Sequence, residues 1–409
     1  MVKFYLFEEE EMKSRWEKCQ IEMEKEGIDV LILSKPTNFF YMSGFRTQIR
    51  SSDFRAFIAI MPRGGEPTLV VPNIEGPPAE KESWFPHVRR WGNVAMQGNG
   101  RYATRISKGL SAGVGGQIEA KDANELVVKI LKESNLLNAT VGMELDGFQQ
   151  LGMPQNDFET IKAGLPNCKF KSCSNIMWKL RRVKSKKEIE YMKKAGQVSD
   201  AGYDAVAGVI KVGMTERELR AVMGQGFLKA GGELAGFIIV SSGLDRYDMH
   251  NSWAWDRKIQ KGEQVLFDFG GVYNNYFSDV QRMFFMAPIH DKQRELQEKA
   301  MSIYYASLAK AKPGNAIEEM DIAASEEIKR LGVESLVFHR TGHSIGLEIQ
   351  ELPSVAIPEK TILEPGMCFA IEPGIYDYAY GSFKIENDIV ITENGYENLT
   401  NCNFEITVK

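Results

Sequence analysis

This 409-residue chain lacks the features of a disulfide scaffold, a membrane protein or a nucleic-acid binder. Its five cysteines, Cys19, Cys168, Cys173, Cys368 and Cys402, are scattered and odd in number. That argues against a disulfide framework and fits a reducing, cytoplasmic setting. Cys168 and Cys173 have no second Cys or His pair nearby to complete a four-ligand zinc site, so they are read as structural. No segment approaches the ~18 apolar residues of a membrane span. Residues 1–13 carry too short an apolar run and too much acid for a secretion signal. The net charge is −5 and no basic run extends beyond residues 184–187, so nothing supports a nucleic-acid partner. Low-complexity tracts and obvious repeats are also missing.

What is present is an ordinary globular composition, 43% hydrophobic and 26% charged, on a chain long enough for two cores. Residues 8–25 place Met12, Trp16, Cys19 and Met23 among charges, which predicts a surface helix stopped at Gly27. Strands are predicted over 29–33, 57–61, 68–71 and 140–144, and helices over 120–137 and 156–163. This alternation makes an α/β domain over residues 1–175. A second domain, 184–409, opens with Ser185 and Glu188 in the Ser-x-x-Glu form of a helix capping box, and Thr215 with Glu218 repeats the signal. A strand over 237–241 and helices over 294–310 and 317–330 follow.

The most informative stretch is 264–282, where Asp268 and Asp279 interrupt apolar, strand-like sequence. Asn274-Asn275 tolerates the positive φ of a tight hairpin turn. With that pair as the turn, residue 270 lies opposite 279, and Asp268 and Asp279 become diagonal cross-strand neighbours on one face. Taken alone they are solvated residues on an exposed hairpin; if buried, they need a shared proton or a metal ion.

Three further places set polar chemistry in apolar or glycine-bounded sequence. Residues 339–346 bring His339 and His343 together, two of five histidines in the chain. Residues 369–374 end an apolar strand at Glu372, and residues 383–390 place Glu386 in mid-strand; His250 precedes the hairpin. Asp268, Asp279, Glu372 and Glu386 with His343 form an oxygen-rich set with charge enough for two divalent cations, better suited to a hard ion such as Mn²⁺ than a thiolate site would be. Two ions about 3.5–4 Å apart hold a bridging hydroxide and polarise a carbonyl, a route to amide hydrolysis.

Here the sequence resembles the pita-bread metallohydrolases, which include Xaa-Pro dipeptidases, aminopeptidases and creatinases. The matching motifs are Asp268-x-Gly270, Ser278-Asp279-x-x-Arg282, Gly342-His343-Ser344-Ile345-Gly346, Ile371-Glu372-Pro373-Gly374 and Ile385-Glu386-Asn387. Residues 180–189 resemble the joint that begins this domain in the prolidase and creatinase branch, and residues 37–45 resemble that branch's N-terminal domain. The resemblance implies an α/β (α+β) chain, a creatinase-like N-terminal domain followed by a pita-bread catalytic domain. It implies two divalent ions, Mn²⁺ foremost and Co²⁺, Zn²⁺ or Fe²⁺ as alternatives. Asp268 would be a terminal ligand of one ion, His343 and Glu372 of the other, and Asp279 and Glu386 would bridge. Glu372 would also shuttle the proton, His250 and His339 would contact substrate or the tetrahedral intermediate, and Arg282 would orient carboxylates. A homodimer is implied as well.

Two positions depart from the pattern. Gln350 stands where many Xaa-Pro peptidases carry a histidine in a His-Glu-x-Pro motif, and glutamine cannot carry a proton. Gln281 stands where a threonine is common. Gln350 and His250-Asn251 keep open a substrate of another kind, a small non-peptide C–N bond of the creatine or ectoine type, or a related lyase reaction. A non-catalytic binding protein on the same fold would bind no metal. The leading expectation is a metal-dependent hydrolase of Xaa-Pro dipeptides, with Gln350 among the substrate-facing residues.

Overall fold

The computed structural model describes residues 4–47, 55–92, 118–234, 236–243, 252–404 and 407–409. It divides into two compact units, Met1–Leu180 and Arg181–Lys409.

The first unit is built on a six-stranded mixed sheet. Its strands are β1 (Val30–Leu33), β2 (Ile58–Pro62), β3 (Thr68–Pro72), β4 (His87–Trp91), β5 (Thr140–Met143) and β6 (Lys169–Ser172), in the order β4-β3-β2-β1-β5-β6. β1 is buried along its whole length, so its run of Val, Leu and Ile residues needs no polar alternation. The first helix, Glu9–Glu26, ends where expected: Gly27 takes φ 64°, and its amide caps Glu24 and Met23. The predicted helix over 120–137 is shorter, Ala123–Glu133. Asp122 accepts the Glu125 amide and starts the helix there, while Ala120 bridges to Trp91. Residues 37–45 overlap a buried helix, Pro36–Ser43, which sequence reading passed over; Pro36 at its first turn has the φ a helix start requires.

The second unit opens with two helices, Lys186–Ala207 and Glu216–Lys229, each begun by the predicted capping box. The next helix starts at Asp291, three residues before the predicted Arg294, because the His290 ring accepts the Lys292 amide and the Gln293 side chain accepts the His290 amide. Behind these helices, β7 (Phe237–Ser242), β8 (Gln264–Gly270), β11 (Val280–Phe285) and β19 (Thr407–Val408) form a sheet ordered β19-β11-β8-β7, and β9 (Val272–Tyr273) pairs with β10 (Tyr276–Phe277). A second sheet contains β12 (Gly342–Ser344), β13 (Glu351–Val355), β14 (Cys368–Ile371), β17 (Asn387–Thr392) and β18 (Gly395–Asn398), ordered β13-β12-β14-β17-β18; β15 (Gly374–Asp377) pairs with β16 (Gly381–Lys384). An isolated bridge, Gln281 to Glu386, joins β11 to the segment between β16 and β17.

The hairpin register agrees with the Asn274-Asn275 turn. Both residues have positive φ, 50° and 69°, and Tyr273 pairs with Tyr276, Phe269 with Val280 and Asp268 with Gln281. Glycine is required at the close approaches beside the site. A Cβ on Gly270 would lie 1.9 Å from the Ser278 carbonyl, and one on Gly342 2.2 Å from that of Ala370.

A buried ion network braces the start of this unit. The Glu351 carboxylate pairs with Arg181 and, at 3.2 Å, with Lys184, and it accepts the Leu347 amide at 2.9 Å. All three charged side chains are essentially inaccessible, so each depends on the others for its charge.

Candidate metal centre

Five residues singled out in the sequence line one cavity of about 670 Å³ in the second unit: Asp268, Asp279, His343, Glu372 and Glu386. Asp268 lies within β8, Asp279 just before β11, His343 in the middle of β12, Glu372 just after β14, and Glu386 between β16 and β17. Each therefore stands on or directly beside a strand, which fixes its backbone.

The geometry is tight. His343 Nε2 lies 3.3 Å from Glu372 Oε1 and 3.7 Å from Asp279 Oδ2. Its other ring nitrogen, Nδ1, donates to its neighbour's carbonyl, Ser344 O, at 3.1 Å, which turns Nε2 toward the carboxylates. Asp279, His343 and Glu386 each offer a ligand atom within 4.8 Å of the others. Asp279 is anchored through its amide, which donates to Asp388 Oδ2 at 2.8 Å.

Burial is the main force on these carboxyls. It pushes Asp279 and Glu386 well above the carboxylate range, and neighbouring acids add to the effect at both. Asp268 is raised as well, by burial first, with Lys384 opposing. At Glu372 burial is again the largest single influence, but Lys384 and His343 together outweigh it and hold this carboxyl low. Burial also lowers His343, favouring the neutral imidazole that a metal needs. Neither Glu386 oxygen has a hydrogen-bond donor of acceptable geometry, although Lys384 Nζ stands 3.0 Å from Oε2. A buried, acceptor-rich cluster with an unsatisfied carboxylate fits a bound cation.

Lys384 is the residue that sequence reading missed. It occupies the last position of β16 and projects its ammonium among the acids, 3.1 Å from Asp268 Oδ2 and 2.6 Å from Glu372 Oε2. Its signal in the sequence was a lone lysine two residues before Glu386, which reads as an edge-strand charge until the strands are assembled.

His339 lines the same cavity. Its Nδ1 faces Arg340 O at 2.7 Å and so carries the proton, which leaves Nε2 to accept the Tyr376 hydroxyl. Burial lowers its pKa, with Glu372 opposing. Tyr376 was also missed in the sequence. Gln350 lies at the rim, its Oε1 accepting from Arg340 Nη2 at 3.0 Å; Arg340 also donates to Ser354 Oγ at 2.7 Å. Gln281 lines the cavity with a buried Oε1 that lacks a partner, and its amide nitrogen faces Lys384 O at 3.5 Å. His250 and Asn251 lie outside the described residues.

Arg282 reaches the candidate ligands through the main chain. It spends its donors on Glu386 O, Gln281 O, Asn387 Oδ1, Cys402 O and Asn403 O, at 2.7–2.9 Å. It holds the main chain from which Glu386 projects, because its planar fork meets converging carbonyls there.

Comparison with known proteins agrees with this geometry. Residues 190–393 match metallopeptidase family M24, and residues 15–183 match the creatinase/prolidase N-terminal domain. The chain is 31% identical to an Xaa-Pro dipeptidase of Pyrococcus furiosus over 395 residues, 97% of this chain and 100% of that protein. Among solved structures, the prolidase of Pyrococcus horikoshii OT3 superposes with a TM-score of 0.77 at 28% identity, covering 95% of this chain and 99% of that one. An Xaa-Pro dipeptidase of Bacillus anthracis superposes with a TM-score of 0.82 at 25% identity, covering 97% and 100%. Fold and donor set together are those of a metal-dependent hydrolase. The chain belongs to the metallopeptidase family M24, with an N-terminal domain of the creatinase/prolidase type.

Proposed function

We propose that this protein is a dipeptidase that hydrolyses the amide bond of Xaa-Pro dipeptides, with residues 184–409 as its catalytic domain. The observation that carries the reading is the convergence of Asp268, Asp279, His343, Glu372 and Glu386 on one cavity, in a chain of which 97% matches an Xaa-Pro dipeptidase. These five residues would hold divalent metal. Four carboxylates and one imidazole suit Mn²⁺ best, with Co²⁺, Zn²⁺ and Fe²⁺ compatible, and the resemblance implies two ions. When bound, the metal supplies an activated water and polarises the scissile carbonyl.

The chain's own groups supply the rest. Glu372 is placed to take the proton from the attacking water and pass it to the departing proline nitrogen; Lys384, at 2.6 Å, steadies one of its oxygens. Tyr376 fixes the ring of His339, which lines the cavity and would contact the substrate or the tetrahedral intermediate. Phe237, Ile239, Phe338 and Ile349 supply apolar wall for a proline ring. Arg340, bonded to the uncharged acceptors Ser354 Oγ and Gln350 Oε1, is placed to meet the free carboxylate of a dipeptide. Gln350 thereby replaces a proton-bearing histidine with an aiming group, and His250 is kept as a substrate contact.

The free cysteines among the described residues support a reducing, cytoplasmic setting, and a homodimer is the proposed assembly. No described helix is long and apolar enough to cross a membrane.

The test is a panel of Xaa-Pro dipeptides, other dipeptides and Xaa-Pro tripeptides, assayed with Mn²⁺ and with chelator. Metal-dependent cleavage confined to Xaa-Pro dipeptides is expected; no metal-dependent cleavage removes the proposal. Because Gln350 cannot carry a proton, creatine and ectoine belong in the same panel, and turnover of either where dipeptides fail would establish the small-molecule alternative.

A further inference from the structure

We propose that Gln281 is a further metal ligand, its side-chain carbonyl oxygen coordinating the divalent ion that Asp268, Asp279 and Glu386 would hold. This rests on reading the cavity as a metal-dependent hydrolytic centre. Gln281 lies in β11 and is fully buried. It pairs with Asp268 of β8 on one side and bridges to Glu386 on the other. Residues paired in this way present their side chains to one face, and Asp279, two positions earlier in the chain, shares that face by alternation. Gln281 therefore stands among three of the five candidate ligands, and all four residues line the same cavity.

The state of its amide points to a cation. Nε2 faces Lys384 O at 3.5 Å, which turns Oε1 the other way, and Oε1 has no hydrogen-bond partner. A buried acceptor without a donor is costly, and its neighbours on this face are carboxylates, which when ionised only accept. The nearby ammonium of Lys384 is directed elsewhere, to Asp268 Oδ2 at 3.1 Å and Glu372 Oε2 at 2.6 Å. A divalent ion satisfies an amide oxygen and carboxylates together, because hard ions accept both kinds of oxygen.

Ligand number and charge agree with this. Of the two ions that the family resemblance implies, one would have His343 and Glu372 beside the shared Asp279 and Glu386, whereas the other would have Asp268 alone beside them. Gln281 gives that second ion a fourth protein ligand. Being neutral, it adds a donor without adding charge to a set whose four carboxylates already match two divalent cations. The threonine common at this position bears its oxygen on Cβ, so the longer reach is this chain's own.

Gln281→Leu and Gln281→Glu test the assignment in the full-length chain, stripped with chelator and titrated with Mn²⁺ by isothermal calorimetry. Gln281→Leu should weaken one bound Mn²⁺ by at least about tenfold, the lower end for losing even a group that only positions a ligand. Gln281→Glu, which keeps an oxygen at the same reach, should bind that ion at least as tightly as the unaltered protein. Unchanged affinities in Gln281→Leu would overturn the inference, and equal weakening in both variants would mark a packing role and overturn it as well. If the variants do not fold, a crystal structure of the Mn²⁺-loaded unaltered protein decides. Oε1 at roughly 2.0–2.4 Å from an ion supports the assignment, and Oε1 beyond about 3 Å from every ion overturns it. Unchanged Mn²⁺ affinities with intact Xaa-Pro cleavage would sink this inference alone, while no bound metal and no metal-dependent cleavage would also sink the functional reading.

Discussion

Arg282 donates to the main-chain carbonyl of Glu386 at 2.7 Å, so a candidate ligand is held through its backbone while its carboxylate is left to a cation. The same guanidinium reaches four further acceptors, and the residue is buried. Arg282→Lys replaces a planar fork by a point charge with fewer donors. It is expected to destabilise the protein by about 2–4 kcal/mol, read by urea denaturation, since buried acceptors are left unmet. Metal affinity should fall about 10–100-fold, the range for losing a partner that positions a ligand.

Glu386 should show opposite effects with and without metal. Both of its buried oxygens lack well-formed hydrogen bonds, and burial resists its ionisation. Glu386→Gln removes an acid that the metal-free protein accommodates poorly. In chelator its melting temperature should equal or exceed that of the unaltered protein, whereas the rise in melting temperature on adding Mn²⁺ should largely vanish. A melt of Glu386→Gln that still rises fully with Mn²⁺ would exclude it as a ligand.

Tyr376 is expected to act through His339. Tyr376→Phe removes the hydroxyl that His339 Nε2 accepts and frees the ring to reorient. The expected result is a fall in kcat of about tenfold, equal to about 1.4 kcal/mol, with KM for an Xaa-Pro dipeptide changed by less. An unchanged kcat would show that the orientation of His339 does not matter to the reaction.

Acid stability should depend on Glu351. Burial, the largest single influence, would raise its pKa, but Arg181 and Lys184 outweigh it and bring the carboxyl down to about 2. A depressed pKa contributes stability that is fully present above the unfolded value of about 4.3 and is lost as pH falls toward about 2. Glu351→Gln leaves two buried cations without their counter-charge and should cost about 3–5 kcal/mol at neutral pH. Denaturation curves from pH 6 down to pH 3 should show that difference shrinking steadily below pH 4.5. A constant difference would mean that Glu351 is not the titrating group.

How much of this was legible in the sequence depended on the range of the interactions. The Asn274-Asn275 turn was readable because a two-residue turn with positive φ determines the register of its own hairpin, and the capping boxes at Ser185 and Thr215 were readable because they close within one helical turn. The early start at His290 was missed because a histidine is an unusual cap. Glu351 passed unnoticed beside Gln350, since nothing nearby in the chain reveals that its partners are Arg181 and Lys184.

Taken alone, the sequence determined the two-part organisation, the hairpin and, through its motifs, the residue types of a metal-binding hydrolase. Local backbone chemistry and the order of acidic and histidine motifs survive without coordinates. Tertiary structure alone decided that Lys384 stands among Asp268, Glu372 and Glu386, that Arg282 holds the Glu386 backbone, and that Tyr376 fixes His339. The reason is that a charge acquires its meaning from the groups within a few ångströms of it. For Lys384, Asp268 is supplied by a strand more than a hundred residues away in the chain.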